Sequence, residues 1–197
     1  VGVFPERRDY RRTEVISDVW DNFGFDPATG NAMLAYAGNV ARKYKNKKIS
    51  KENIDKILKA AMYAPSAMNL QAWHFIVIDD RDILIETIKS ISYAEMLKQS
   101  SAAILVCGDS LIEKNESWLL QNCSASIQNI LLSAHGSGIG SCWIAIHGMD
   151  DVYKNVKAQF KVPESIVPVA LISLGYPDEE VKAEERYKEE KIHHNNW

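Results

Sequence analysis

The sequence predicts an α+β fold, and three observations point to it. Stretches with apolar residues at helical spacing alternate with short apolar runs of strand length. Breakers such as Pro65, Gly108 and Pro163 fall where those stretches end. Hydrophobic residues make up 46% of the 197, enough to enclose a core, and the length suits one domain or one domain plus an extension.

Taken in order, residues 1–13 hold Arg7, Arg8, Arg11 and Arg12 among Glu6 and Asp9 and read as a solvated terminus. Val15, Ile16, Val19 and Trp20 give a short helical spacing, and after a turn over 26–30 a second helix follows at 31–39. Residues 1–37 are thus expected to form an N-terminal helical extension, ahead of a main domain over 38–197. Ser50 stands at an N-cap, and Ile54, Ile57, Leu58 and Ala61 line one face of a helix over 54–63. A buried strand follows at 74–79, a helix at 82–91 and a strand at 102–107. The longest helix is predicted over 118–134, where residues 127–134 are apolar on nearly every face. Such a helix must be buried all round, which in a chain this small favours packing on a second copy. A strand over 141–146, a helix over 150–160 and a strand over 167–175 complete the domain.

Charge and cysteine usage exclude several classes. Lys plus Arg total 23 against 26 Asp plus Glu, a formal charge of −3, which argues against nucleic acid as the main partner. No apolar run reaches membrane-spanning length, and the first residues lack the apolar core of a secretory signal. Cys107, Cys123 and Cys142 are odd in number and have no zinc-ligand spacing, so they read as reduced, buried thiols and predict a cytoplasmic location. No P-loop, metal cluster or Ser/His/Asp set appears in context.

Chemistry concentrates between the first helix and the first strand, in Ala64-Pro65-Ser66-Ala67-Met68-Asn69-Leu70-Gln71-Ala72-Trp73-His74-Phe75. Pro65 stops the helix, and the loop offers hydroxyl, carboxamide and backbone N–H groups while Trp73 and Phe75 plug into the core. Composition alone describes an ordinary connection. The string, however, resembles the signature loop of the FMN-dependent nitroreductase family, A-P-S-x-x-N-x-Q-P-W, with Ala72 in place of the usual proline. The resemblance implies a nitroreductase-like fold: a central, mostly antiparallel sheet flanked by helices, with the long buried helix in a homodimer interface. It also implies flavin-binding roles for Pro65, Ser66, Ala67, Asn69 and Gln71, often across that interface.

Residues 127–144, Ile127-Gln128-Asn129 through Gly138-Ile139-Gly140-Ser141-Cys142-Trp143-Ile144, resemble the second signature of that family. The glycines at 136, 138 and 140 do not form a dinucleotide loop, because helix precedes strand here and the N–H groups of a helix start are absent. They are expected to cap the helix in left-handed conformations. Next comes Ile146-His147-Gly148, where the resemblance places backbone N–H groups of His147 and Gly148 at the flavin N5 and O4 edge. Family members often have an acidic residue where this chain has His147, so a proton-donating imidazole competes with a bystander loop side chain.

Toward the end, Gly175-Tyr176-Pro177 matches the family's L-G-Y-P, Arg186 stands where an arginine grips the FMN phosphate, and His193 and Trp197 resemble a closing H-x-x-x-W that docks the tail. One departure matters. The family opens with R-R-S-x-R before K-Y, whereas this chain has Gly38-Asn39-Val40-Ala41-Arg42, keeping only Arg42 as a phosphate ligand. The expected activity is hydride transfer from NAD(P)H through bound FMN to a small electron-poor acceptor such as a nitroaromatic or quinone, with no protein residue named as catalytic. The competing class is a non-catalytic flavin-binding or interaction protein with a weakened phosphate site.

Overall fold

The computed structural model describes residues 41–179 and 187–197. The extension expected over 1–37 and the phosphate-gripping Arg186 lie outside them. Within the described residues helices and strands alternate: α1 (Lys51–Met62), β1 (Trp73–Ile78), α2 (Arg81–Ser90), β2 (Ala102–Asp109), α3 (Glu116–Gly136), β3 (Gly140–Ala145), α4 (Asp150–Gln159) and β4 (Ile166–Gly175). Every segment expected in this region appears, with ends displaced by less than a helical turn.

The four strands form one sheet in the order β1-β2-β4-β3, and every neighbouring pair is antiparallel, as the resemblance implied. Residues alternate between faces along a strand, so β2 sends Ile104 and Val106 one way and Ala103, Leu105 and Cys107 the other. The first set packs with Ile57 of α1 and Ile127 and Ile130 of α3. The second packs with Leu84 of α2 and Val156 of α4. Helices thus cover both faces, which is why β2 and β4 read as unbroken apolar runs rather than alternating ones.

Pro168 lies inside β4, where it supplies no N–H to the ladder. The register against β2 slips there, from Val106 opposite Ala170 to Cys107 opposite Pro168, leaving Val169 as the extra residue of a bulge. Its carbonyl accepts the N–H groups of Ile146 and His147, at 3.3 and 3.1 Å, and so turns the chain leaving β3.

α3 opens with Asn115 Oδ1 accepting the Trp118 N–H and closes at Gly138, whose φ of 68° lets the Ile139 N–H reach Ala134 O at 2.9 Å. Of the three glycines expected to cap, only Gly138 does so. Gly136 is helical and Gly140 begins β3. Among the described residues α3 is not buried all round, because Leu131 and Leu132 are half-buried. The C-terminal tail also departs from expectation. Trp197 is 99% exposed and stacks on His193 at 4.4 Å, so it does not dock on the rest of the described chain.

Candidate functional site

Among the described residues β3 is an edge strand, and its outer side borders a cleft of about 680 Å³. Main-chain groups of alternate residues point outward along such an edge. Ser141 O accepts the Ala41 N–H, and Ala145 O accepts the Tyr93 hydroxyl at 2.6 Å. Trp143 lies between them with the same parity, so its N–H and C=O face the cleft. Lys43, Tyr93, Met96 and Gln99 also line it, none of which the sequence marked. The signal was too weak to find them: Tyr93, Met96 and Gln99 come from an irregular connection around a single 3-10 turn, Glu95–Lys98, and Lys43 from the irregular segment before α1.

Arg42 stands at one end of this cleft. The N–H groups of Arg42 and Lys43 donate to Glu179 Oε1 at 2.7 and 3.0 Å, which holds that carboxyl below the usual range. Burial raises the Cys142 thiol, and the positive charge of nearby Arg42 offsets part of that rise. At the other end β3 leads to His147 and Gly148. The Gly148 φ of 83° suits glycine, and no atom lies within 4 Å of where a Cβ would stand. Of the expected pair of flavin-facing donors, the His147 N–H donates to Val169 O. That of Gly148 has no partner among the described residues.

The loop over 65–71 folds differently from a simple row of free N–H groups. Met68, Asn69 and Gln71 have φ of 50°, 56° and 51°. This winding closes the loop on itself: Asn69 N–H donates to Ser66 O, Leu70 N–H to Ala67 O, and Gln71 N–H to Ser66 Oγ. The Ala67 N–H donates to Asn122 Oδ1 of α3 at 2.9 Å. The side chains of Asn69 and Gln71 are both exposed and remain for a ligand. Asn122 is a residue the sequence did not reveal. It is 6% exposed, and its Nδ2 has no hydrogen-bond partner.

The β1, β2 and β4 register places the 65–71 loop at the same end of the sheet as the His147–Gly148 turn. The two stand at opposite sheet edges, and the first two turns of α3 join them. Glu116 Oε1 lies 2.9 Å from His147 Nε2, while Asn122 holds the loop.

Burial pushes the Cys107 and Cys123 thiols up to about 12 from an ordinary 9. The unfolded chain therefore releases these protons near pH 9 while the folded chain keeps them. Stability, complete below pH 9, falls as pH rises toward 12, by on the order of 1 kcal/mol per unit for each thiol. Tyr44, raised by burial from 10, adds a further loss above that pH. Urea unfolding at pH 8 and pH 10 checks this: a Cys107→Ala/Cys123→Ala variant is expected to lose less than the parent, and equal losses would refute it.

The described residues thus form an antiparallel sheet with helices on both faces, whose outer strand β3 runs from beside Arg42 to the glycine turn at Gly148. The family is then settled by similarity: the nitroreductase family model matches residues 40–110 and 93–176, and the chain belongs to that family. A protein of Archaeoglobus fulgidus, provisionally named as an NADH dehydrogenase/NAD(P)H nitroreductase, is 41% identical over 169 residues, which cover 83% of this chain and 97% of that one. The FMN-dependent nitroreductase of Clostridium difficile R20291 superposes with a TM-score of 0.76 at 36% identity, covering 83% of this chain and 98% of that one. A provisionally named nitroreductase from Desulfovibrio desulfuricans, solved in complex with FMN, gives 0.71 at 25% identity, covering 88% and 99%.

FMN is the cofactor of this family, and the residues here fit it. The β3 edge spans roughly 20 Å from its first residue to the turn at Gly148. Arg42, the outward main chain of Trp143 and the turn at Gly148 occur along that line. Among the described residues no group of His, Cys, Asp and Glu suits a metal ion, and no helix is long and apolar enough to cross a membrane.

Proposed function

We propose that this chain is an FMN-dependent NAD(P)H oxidoreductase that passes hydride to a small electron-poor acceptor, such as a nitroaromatic or a quinone. The observation that carries the reading is the open β3 edge with Arg42 at one end and the Gly148 donor at the other. When bound, FMN supplies the hydride chemistry between nicotinamide and acceptor. The chain's own residues bind and orient. Arg42 and, beyond the described residues, Arg186 provide planar charged donors for phosphate and ring oxygens. Gly148 N–H provides a fixed dipole at the ring's reactive edge. Pro65, Ser66, Ala67, Asn69 and Gln71 form the facing wall, with Asn69 and Gln71 supplying carboxamides. His147 contributes position rather than a backbone donor. No side chain is assigned a catalytic proton.

A homodimer completes this reading. Leu131 and Leu132 on α3, exposed in part, together with the exposed Leu111, Ile112 and Trp118 near its start, supply apolar surface for a second copy. The buried free thiols suit a reducing cytoplasm.

Purification tests the proposal. A yellow protein whose flavin absorbance bleaches on adding NADH or NADPH supports it, and a colourless protein that FMN does not reconstitute supports the non-catalytic class. For the phosphate assignment, Arg186→Ala is expected to weaken FMN binding more than Lys188→Ala does in a fluorescence-quench titration. Equal affinities would show that Arg186 plays no part.

A further inference from the structure

His147 is held from three directions. Its N–H donates to the bulged Val169 of β4, and its Nε2 lies 2.9 Å from Glu116 Oε1 on the first turn of α3. Its ring meets Tyr153 of α4 edge-on, with centroids 6.2 Å apart and planes at 89°. The neighbouring Gly148 has no side chain to brace it, and a φ of 83° is open to glycine alone among relaxed residues. Whatever fixes the direction of the Gly148 N–H must therefore act through the residues beside it. Glu116 is exposed and contributes little to the core, so core packing does not account for its pairing with His147.

We infer that Glu116 and His147 are a positioning pair that aims the Gly148 N–H at the ligand, with Glu116 acting through the imidazole and touching no ligand itself. This rests on the flavin reading above. α3 also holds the 65–71 loop through Asn122, so one rigid helix sets the separation of both candidate flavin-contacting segments. A donor of fixed direction interacts unequally with oxidised and reduced flavin. Releasing it changes the relative affinity of the two states, which a merely structural contact would leave alone.

The test compares full-length parent, Glu116→Ala and Glu116→Gln for FMN affinity by fluorescence quenching and for the midpoint potential of the bound flavin. Glutamine keeps an acceptor oxygen for the imidazole N–H, whereas alanine removes it. For Glu116→Ala, the expected result is at least tenfold weaker FMN binding and a displaced potential. A tenfold change in the affinity ratio of the two redox states corresponds to about 30 mV for a two-electron couple. Glu116→Gln restores both. His147→Gln, which keeps a donor toward Glu116, stays close to the parent, while His147→Ala follows Glu116→Ala. An unmoved potential in Glu116→Ala overturns the inference, whether or not affinity falls, and leaves the flavin reading standing. Failure of the parent itself to bind FMN removes the flavin reading and this inference together.

Discussion

Replacing Gly175 by alanine is expected to destabilise the protein by about 2 to 3 kcal/mol, the upper part of the range for forcing a methyl into a packed site. A Cβ at Gly175 would stand 2.5 Å from Tyr44 Cγ and 2.8 Å from Tyr44 Cβ, the stiff root of a ring. Tyr44 has no room to yield, because its hydroxyl donates to Ala41 O at 2.7 Å and lies 2.9 Å from Ser173 Oγ. Its backbone also bridges to Pro177. For a chain of this length the melting temperature falls by roughly 4–12 °C. The damage reaches the site as well, since Arg42 and Lys43 precede Tyr44 on the same segment. Truncating the ring removes the conflict. Gly175→Ala is therefore expected to cost much less in a Tyr44→Ala background, and additive losses in a double-mutant cycle would show that the ring is not the obstacle.

Arg42→Ala carries the largest expected effect on ligand binding: an FMN affinity lower by tenfold or more, with the melting temperature nearly unchanged. Of the arginines and serine the family places before K-Y, only Arg42 remains, and a charge-assisted fork exceeds a neutral hydrogen bond about twofold in strength. Arg42→Lys keeps the charge but loses the fork, so an intermediate affinity is expected. The check is a quench titration of parent and both variants beside their melting curves. If Arg42→Ala binds FMN as the parent does, the cleft along β3 is not where the flavin phosphate or ring lies.

Several features of the site were legible before any coordinates. Pro65 and the polar residues after it marked the loop, and the glycines after α3 were separated correctly from a dinucleotide motif by the order of helix and strand. Local chemistry suffices there, because a proline or glycine restricts its own backbone whatever surrounds it. Other features depend on partners distant in the chain. The His147 N–H looked available because its acceptor, Val169 O, is 22 residues away and turned toward it by a bulge at Pro168. The loop's N–H groups looked available because nothing local announced that Met68, Asn69 and Gln71 would adopt positive φ. Asn122 was passed over as one polar residue on a long helix, although its amide holds the loop.

By itself the sequence determined the eight elements of the described region and their order, since periodicity and breakers are properties of neighbouring residues. Through its two signature strings it also pointed to the family. Only the tertiary structure decided, among the described residues, which main-chain donors are taken, which strand lies at the sheet edge and which helix joins the two segments of the candidate site. Those depend on hydrogen bonds between residues far apart in the chain, and no local pattern encodes whether such a partner has already been taken.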